Sequence, residues 1–338
     1  MPWLVWQLAL VTAGVGLQAP TALRWSLLAL ALASLVMSVV RVRSAWLYQW
    51  VGWLLRYLMR SHRTVLPDSD DKAEALIESL VGKTILRSVD VRGEPAAVLG
   101  TEDGVAMILR PRTTDLVRHV PGPMDLLRAV DDQPTGVVAQ TVLHTGTRRG
   151  EPRVWFVIRV VRSPEVARDS DVEQVLGNAV RRVVKELTRH ATEPVLVDAN
   201  DARSALSSLA HVNAGRGDLR ESWRTWSAGP VLQATFRLHG LDRLEPTAVD
   251  SAVSALLQGS IAVATTVALT ARRDHSQRVD GPAAGGVLRV AAGSWIALEK
   301  AAIELSSLGA ARGVRLERLD GRHRAGVTAS LPLGIPSP

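Results

Sequence analysis

Two short acidic clusters are the residues of this chain best suited to hold a metal ion. They read "DSDD" (68–71) and "DAND" (198–201). Carboxylate and amide oxygens are the ligands that Mg²⁺ prefers, so either cluster could hold magnesium or the phosphates of a nucleotide-sugar. Each cluster also stands just before a predicted helix, where Asp, Asn and Ser side chains accept hydrogen bonds from the first N–H groups. Helix capping is therefore the interpretation that the sequence favours for both.

Familiar catalytic motifs are absent from the sequence. "VGKT" (81–84) resembles the end of a phosphate-binding loop, but a helix precedes it and a strand follows it, which reverses the required order. "GGVLRV" (285–290) has the paired glycines of a nucleotide-cyclase hairpin without the metal-binding acids that should follow. The chain has no cysteine, and its eight histidines show no metal-ligand spacing. The sequence predicts no enzyme activity, no cofactor and no metal centre.

The string "ESWRTW" (221–226) marks a candidate patch for a protein partner. Its members are Arg220, Trp223, Arg224 and Trp226. Burial of a large aromatic area is the more common use of tryptophan. Packing in the core, or between two parts of the domain, is therefore the competing interpretation.

Charge is unevenly distributed along the chain. Residues 1–63 contain six arginines and no acidic residue, whereas the remainder has 34 basic and 33 acidic residues. The high isoelectric point therefore comes from the N-terminal segment. The remainder lacks the strong positive field of a nucleic-acid-binding domain, so we expect no nucleic-acid partner.

Two apolar segments are predicted to cross a membrane, at about 3–19 and 24–41. The second is short, and Arg24 and Arg41 could snorkel outward to lengthen it. A cleaved signal peptide is the alternative for the first, but that segment lacks a basic start and a second apolar segment follows at once. One arginine lies between the segments and five follow them, so the positive-inside rule predicts two spans with both termini in the cytoplasm.

Segment 44–63, "SAWLYQWVGWLLRYLMRSHR", is predicted as an amphipathic helix in the cytoplasmic headgroup layer of the membrane. Arginines recur at helical spacing on one face and leucines on the opposite face. The residues expected to contact lipid at the membrane interface are Trp46, Trp50, Trp53, Arg56, Tyr57, Arg60 and Arg63. Packing against the transmembrane helices of a partner is the alternative.

Residues 64–338 alternate strand and helix patterns, which predicts an α+β fold in two halves, 64–211 and 212–338. Each half follows the order strand–helix–strand–strand–helix–strand of a ferredoxin-like unit. The strings "AQTVLHT" (139–145) and "ATTVALT" (264–270) share the pattern A-x-T-V-x-x-T, which favours duplication. We expect 212–229 to connect the halves, "GEPAAVLGTED" (93–103) to be turn-rich and "AGVTASLPL" (325–333) to be the last strand.

Several strings, in their order and spacing, resemble the EccE family, a membrane component of the type VII (ESX) secretion systems of actinobacteria. They are "VRGEPAAVLGTEDGVAMILRP", "ESWRTW", "SALLQGSIAVATTVALTARR" and "RGVRLERLDGRHRAGVTASLPLG". With the paired N-terminal spans, the resemblance covers about residues 1–334. None of these strings is diagnostic of a chemistry, and no catalytic residue is carried over from the family.

The resemblance implies a non-catalytic structural subunit that anchors and stabilises a secretion complex of the inner membrane at its periphery. The implied partners are EccB, EccC (the ATPase that drives export), EccD and a mycosin protease, with no small-molecule substrate. Two alternatives stay open. One is a membrane-anchored enzyme that binds a nucleotide or nucleotide-sugar through its Asp clusters. The other is a membrane-tethered regulator that binds a protein outside secretion.

Overall fold

The computed structural model of the chain describes most of its residues and divides into two compact units. The described ranges are 2–42, 45–68, 72–91, 93–113, 120–131, 135–146, 151–213, 216–260, 263–273 and 283–338. The N-terminal unit is Met1–Ser61 and the C-terminal unit is His62–Pro338. Each unit is described by itself below.

The N-terminal unit begins with two apolar helices, α1 (Pro2–Gln18) and α2 (Thr21–Val39). Pro20 stands between them, where its fixed φ and missing N–H suit a helix boundary. The two helices approach closely at Gly16, because a Cβ there would lie 3.0 Å from the Cβ of Leu27. Among the described helices, α2 is long and apolar enough to cross a membrane, whereas the apolar stretch described in α1, Ala9–Gln18, is shorter.

A short antiparallel hairpin and a third helix complete the N-terminal unit. The hairpin strands are β1 (Arg41–Val42) and β2 (Ala45–Trp46), and the helix is α3 (Leu47–Met59). At the start of α3, the backbone N–H of Trp46 donates to Gln49 Oε1 over 2.9 Å. This bond closes the first turn of α3 on the hairpin.

The C-terminal unit is built on one antiparallel sheet with thirteen described strands. The strands are β3 (Arg63–Val65), β4 (Thr84–Val91), β5 (Glu94–Thr101), β6 (Gly104–Pro111), β7 (Val137–Thr145), β8 (Arg153–Val161), β9 (Pro194–Leu196), β10 (Asp218–Glu221), β11 (Trp226–Ala228), β12 (Val231–His239), β13 (Ala264–Arg273), β14 (Ala283–Ala292) and β15 (Arg315–Arg318). The helices are α4 (Lys72–Val81), α5 (Pro123–Arg128), α6 (Asp169–Arg189), α7 (Ala199–Ala210), α8 (Pro246–Gln258), α9 (Trp295–Ala310) and α10 (His323–Ser330), with a 3₁₀ turn at Leu241–Arg243. The predicted α+β class is confirmed.

The strands pair in the same spatial order on both sides of the centre of the sheet. The order is β9-β6-β8-β7 on one side and β15-β12-β14-β13 on the other. Strands β7 and β13 pair with each other, from Thr145↔Thr265 to Val137↔Arg273, and so make the sheet continuous. Strands β4 and β5 extend the sheet beyond β6, and strands β3, β10 and β11 extend it beyond β12.

Each face of the sheet carries its own apolar core. The first core lies under α5, α6, α8 and α9, and the second lies under α4, α7, α10 and the segment that follows α10. Helix α6 shows why the helices form where they do. Its apolar residues recur every three or four positions, and Val172, Leu176, Val183 and Leu187 are fully buried in the first core.

Two local predictions are wrong. The segment 93–103, expected to be turn-rich, contains the buried strand β5, because its Ala96–Leu99 stretch fills the sheet between β4 and β6. The segment 325–333, expected to be a strand, contains most of α10. Gly326 has no Cβ, which lets α10 lie directly on Thr235 of β12. The expected connection at 212–229 carries strands β10 and β11.

Candidate functional site

Helix α3 carries four of the seven residues that the sequence placed at a membrane interface, namely Trp50, Trp53, Arg56 and Tyr57. No residue of α3, all of which is described, is buried. Its apolar side chains at Leu54, Leu58 and Met59 are 43%, 64% and 87% exposed. Soluble monomeric proteins rarely expose several large apolar side chains next to one another on a helix. The face is therefore available to lipid or to a partner.

Aromatic and cationic side chains of the N-terminal unit contact one another along the hairpin and α3. The rings of Trp50 and Trp53 meet edge to face with centroids 5.2 Å apart, and Trp50 Nε1 donates to the Val42 carbonyl over 3.2 Å. The guanidinium of Arg41 lies 5.8 Å from the Trp46 ring centre, and that of Arg60 lies 5.7 Å from the Tyr57 ring. Arg56, in the last turn of α3, is exposed. Stacked Trp, Tyr and Arg side chains of this kind suit a headgroup layer.

Arg63 is not part of this helix. Helix α3 ends at Met59, and Arg63 begins β3 in the C-terminal unit, where it pairs with Arg220 of β10. Asp218 joins the two, accepting from Arg63 Nε over 2.8 Å and lying 3.0 Å from Arg220 Nη2. These hydrogen bonds, Arg63's first, lower the pKa of Asp218. The sequence assigned Arg63 and Arg220 to two different sites, and the fold brings them together.

The two tryptophans of the candidate patch have different surroundings. Trp226 is 2% exposed and packs in the second core, so its indole does not face a partner. Trp223 is half-buried and covers Gly321, where a Cβ would lie 2.5 Å from the indole ring. The backbone N–H of Gly321 donates to the Trp223 carbonyl over 2.7 Å. Trp226 is therefore a core residue, and Trp223 holds the segment before α10 in place through its contacts with Gly321.

Arg224 belongs to a surface cluster that the sequence did not reveal. Its guanidinium lies 5.2 Å from the Trp295 ring centre and donates to Glu299 over 3.3 Å. Arg318 Nη1 donates to the same carboxylate over 2.7 Å, and its Nη2 donates to the Arg224 carbonyl over 2.9 Å. We call Arg224, Trp295, Glu299 and Arg318 the Trp295 cluster. A tryptophan directly after the capping Ser294 was the one signal that could have indicated it.

The acidic side chains of the two clusters that the structure describes make local hydrogen bonds and ion pairs. Asp198 Oδ1 accepts from the backbone N–H of Asp201 over 2.8 Å at the start of α7, which confirms the predicted cap. Asp201 also lies 3.0 Å from Arg110. Asp68 bonds to Lys72 over 2.6 Å, which lowers the pKa of Asp68, and residues 69–71 lie outside the described residues. Among the residues described, no group of three or more His, Asp or Glu side chains is arranged to hold a metal ion.

One family model matches part of the chain. It is described as "Putative type VII ESX secretion system translocon, EccE" and matches residues 150–238. The matched stretch runs from β8 to β12 and includes the candidate patch around Arg220 and Trp223. No curated protein matches the chain. Residues 150–238 therefore match the EccE family, and the resemblance found in the sequence is confirmed over that stretch.

Proposed function

We propose that this protein is a membrane-anchored, non-catalytic subunit of a type VII secretion translocon. The observation that carries the proposal is the match of residues 150–238 to the EccE family in a chain that also has an apolar N-terminal helix. In this role the N-terminal unit docks the protein and the C-terminal unit contacts neighbouring subunits. By the sequence resemblance, those neighbours are EccB, EccC, EccD and a mycosin in the inner membrane of an actinobacterium.

The N-terminal unit serves as the anchor in this proposal. Helices α1 and α2 form two spans with both termini in the cytoplasm, and α3 lies along the cytoplasmic headgroups. The close approach of α1 to α2 at Gly16 supports a paired insertion. The excess of arginine after α2 supports the orientation.

The C-terminal unit consists, in this proposal, of two ferredoxin-like halves. Support comes from the equal order of elements in each half and from the equal order in which their strands pair. The Trp295 cluster, which joins α9, β15 and the turn between β10 and β11, is the surface that we assign to a protein neighbour.

Co-purification of the tagged full-length chain from its native membranes in mild detergent tests the proposal. We expect EccB, EccC and EccD in stable ratio in one high-mass band identified by mass spectrometry. Removal of residues 1–61 should abolish that band, because the docking segment is lost. Substitution of the exposed Ile85 by Ser is the control and should leave the band intact, since this side chain is on β4, at the other end of the sheet from the Trp295 cluster.

Two outcomes would contradict the proposal in different ways. A full-length chain that migrates alone, or with unrelated enzymes, would remove the translocon assignment. A truncated chain that still joins the complex would leave the translocon assignment standing but would disprove docking through the N-terminal unit. An enzyme that uses the Asp clusters is not favoured, because Asp198 and Asp201 are already engaged with the backbone and with Arg110.

A further inference from the structure

A row of polar side chains crosses the middle of the sheet on the face of the second core. Directly paired residues on five neighbouring strands form it, namely Thr235 (β12), Arg289 (β14), Thr266 (β13), His144 (β7) and Arg153 (β8). Directly paired residues of antiparallel strands project to the same face, about 5 Å apart. The register therefore places Arg153 next to His144, with Arg289 on the other side of Thr266.

Arg289 is the unusual member of the row because it is a buried cation without a carboxylate partner among the described residues. It is 1% exposed. Its Nη1 donates to Gln233 Oε1 over 3.2 Å, and its Nη2 donates to Thr266 Oγ1 over 3.5 Å. Burial lowers its pKa to about 9, so the guanidinium still carries its charge at neutral pH. A buried charge that only neutral groups contact is costly, which indicates that a counter-charge is needed.

Two histidines flank the guanidinium. His144 Nδ1 lies 2.9 Å from Thr266 Oγ1. His211 ends α7 in a left-handed conformation (φ 60°), and Gln233 Nε2 donates to the preceding Ala210 carbonyl, which ties that helix end to β12 over 3.1 Å. The side chains of both histidines are partly exposed, so solvent reaches the row beside them.

Among the residues described, the charged groups that shift the pKa values of the two histidines are all basic. Burial first, and then the positive charge of Arg289, lower the pKa of His144 to about 3 and that of His211 to about 4. Arg153 acts on His144 in the same direction, and Arg216 acts on His211. Arg289 and Arg153 thus share the row with the neutral imidazole of His144, and the positive charge of Arg216 acts on the second neutral imidazole, His211. Guanidinium groups only donate hydrogen bonds, and a neutral imidazole can present one N–H, so the matching ligand is rich in acceptors.

We propose that Arg289, His144, His211, Arg153 and Arg216 form a binding site for an oxyanion of the phosphate class, either inorganic phosphate or the phosphoryl group of an ester. A doubly charged oxyanion matches the surplus of positive charge better than a single carboxylate does. Its oxygens accept charge-assisted hydrogen bonds from Arg289 at the base of the site. Arg153 and Arg216 lie at the solvent side and guide the anion inward.

Calorimetric titration of the full-length protein in detergent tests the site, with inorganic phosphate as the probe and chloride at equal ionic strength as the blank. We expect saturable binding of phosphate over chloride. Arg289→Gln should weaken it by about tenfold or more, the usual effect of losing a hydrogen bond to a charged group. Arg315→Gln, an exposed arginine on β15, is the matched control and should bind like the wild type.

Two further variants and a second probe complete the test. If Arg289→Gln fails to fold, judged by its circular dichroism, the milder Arg216→Gln and His211→Gln variants should each weaken binding severalfold. Glycerol phosphate in place of inorganic phosphate distinguishes the two sources. Tighter binding of glycerol phosphate would assign the site to an ester, and equal or weaker binding would assign it to inorganic phosphate. Absence of saturable binding for both probes, or binding unchanged in every site variant, would overturn the proposal.

Discussion

At the scale of single residues, spacing alone did not distinguish a buried side chain from an exposed one. Trp223 and Trp226 stand three positions apart in a polar string, yet Trp226 is in the second core and Trp223 covers Gly321. The difference arises because Trp226 belongs to β11 and pairs with Gln233, so that its ring faces the core. A strand of three residues is too short to give an alternating pattern that would have indicated this.

Replacement of Trp226 by Ala should lower the free energy of unfolding by about 3–5 kcal/mol, because it leaves a cavity in the second core. Urea denaturation of the full-length protein in detergent, followed by far-ultraviolet circular dichroism, measures the change. Ile296→Ala is the matched control, since Ile296 is 80% exposed, and it should shift stability by no more than about 0.5 kcal/mol. Equal effects of the two variants would contradict the assignment of Trp226 to the core.

Stability should also fall as the pH is lowered below about 6.5, the ordinary pKa of histidine. Burial lowers the pKa of His323 to about 3, and it also lowers those of His144 and His211. His323 is the first residue of α10 and is fully buried against β12, where its Nδ1 accepts from the Thr235 backbone N–H. Between pH 6.5 and these folded-state values the unfolded chain binds protons that the folded chain does not, so folding weakens with acid.

The urea midpoint measured between pH 7.5 and about 5.5 checks this expectation at pH values above the range in which most carboxylates titrate. His323→Gln should flatten the pH dependence. Ile296→Ala, which changes no titratable group, should leave the pH dependence unchanged. A midpoint that stays constant over this range would show that the three histidines titrate alike in the folded and unfolded chains.

At the scale of elements, helices with a strong apolar period could be predicted from the sequence. A helix whose conformation depends on contacts with distant residues could not. Helix α6 could be predicted because its apolar stripe has helical period over more than five turns. Helix α10 could not, because Val327 and Thr328 favour a strand and Gly326 and Pro332 disfavour a helix. What holds it in a helix is contact with β12 through Gly326, and such a distant contact leaves no local signal.

Two helical glycines should respond to Ala in opposite directions. Gly326→Ala should destabilise the fold by about 1–3 kcal/mol, because the new Cβ would lie 2.3 Å from Thr235 Oγ1. Gly177→Ala in α6 has no atom within 4 Å of the new Cβ and should stabilise by about 0.5–1 kcal/mol through helix propensity. Urea denaturation measures both. A Gly326→Ala variant as stable as the wild type would show that α10 does not rest tightly on β12.

Helix α3 offers a direct test of how it contacts lipid, because the chain has no cysteine to interfere with labelling. In reconstituted vesicles, a single cysteine at Leu58 should react slowly with a water-soluble maleimide, since this side chain would be immersed in lipid. A cysteine at Arg56, on the arginine face, should react readily. Equal and fast labelling of both positions would place α3 in water, and equal protection of both would favour packing against a partner.

At the scale of the whole molecule, the order of elements could be predicted and their mutual register could not. The shared string A-x-T-V-x-x-T equates Val142 with Val267, but Val142 faces the second core and Val267 the first. If a two-fold axis perpendicular to the sheet related the two strands, equivalent residues would point to the same face of the sheet. A shift of the alignment by one residue would place them on opposite faces. The shared string therefore does not match the register of the fold, and support for a repeated unit comes instead from the order of elements and the order in which their strands pair.

The contact between β7 and β13 has a consequence for how such a sheet could arise. Each of these strands lies at the end of one of the two pairing orders, β9-β6-β8-β7 and β15-β12-β14-β13. Without the other set of strands, it would be an edge strand with unpaired N–H and C=O groups that can pair with another strand. Because the two strands run antiparallel, they meet as the same element of two identical subunits would meet in an isologous homodimer. The centre of the sheet is thus arranged as a two-fold dimer interface would be, although both strands belong to one chain.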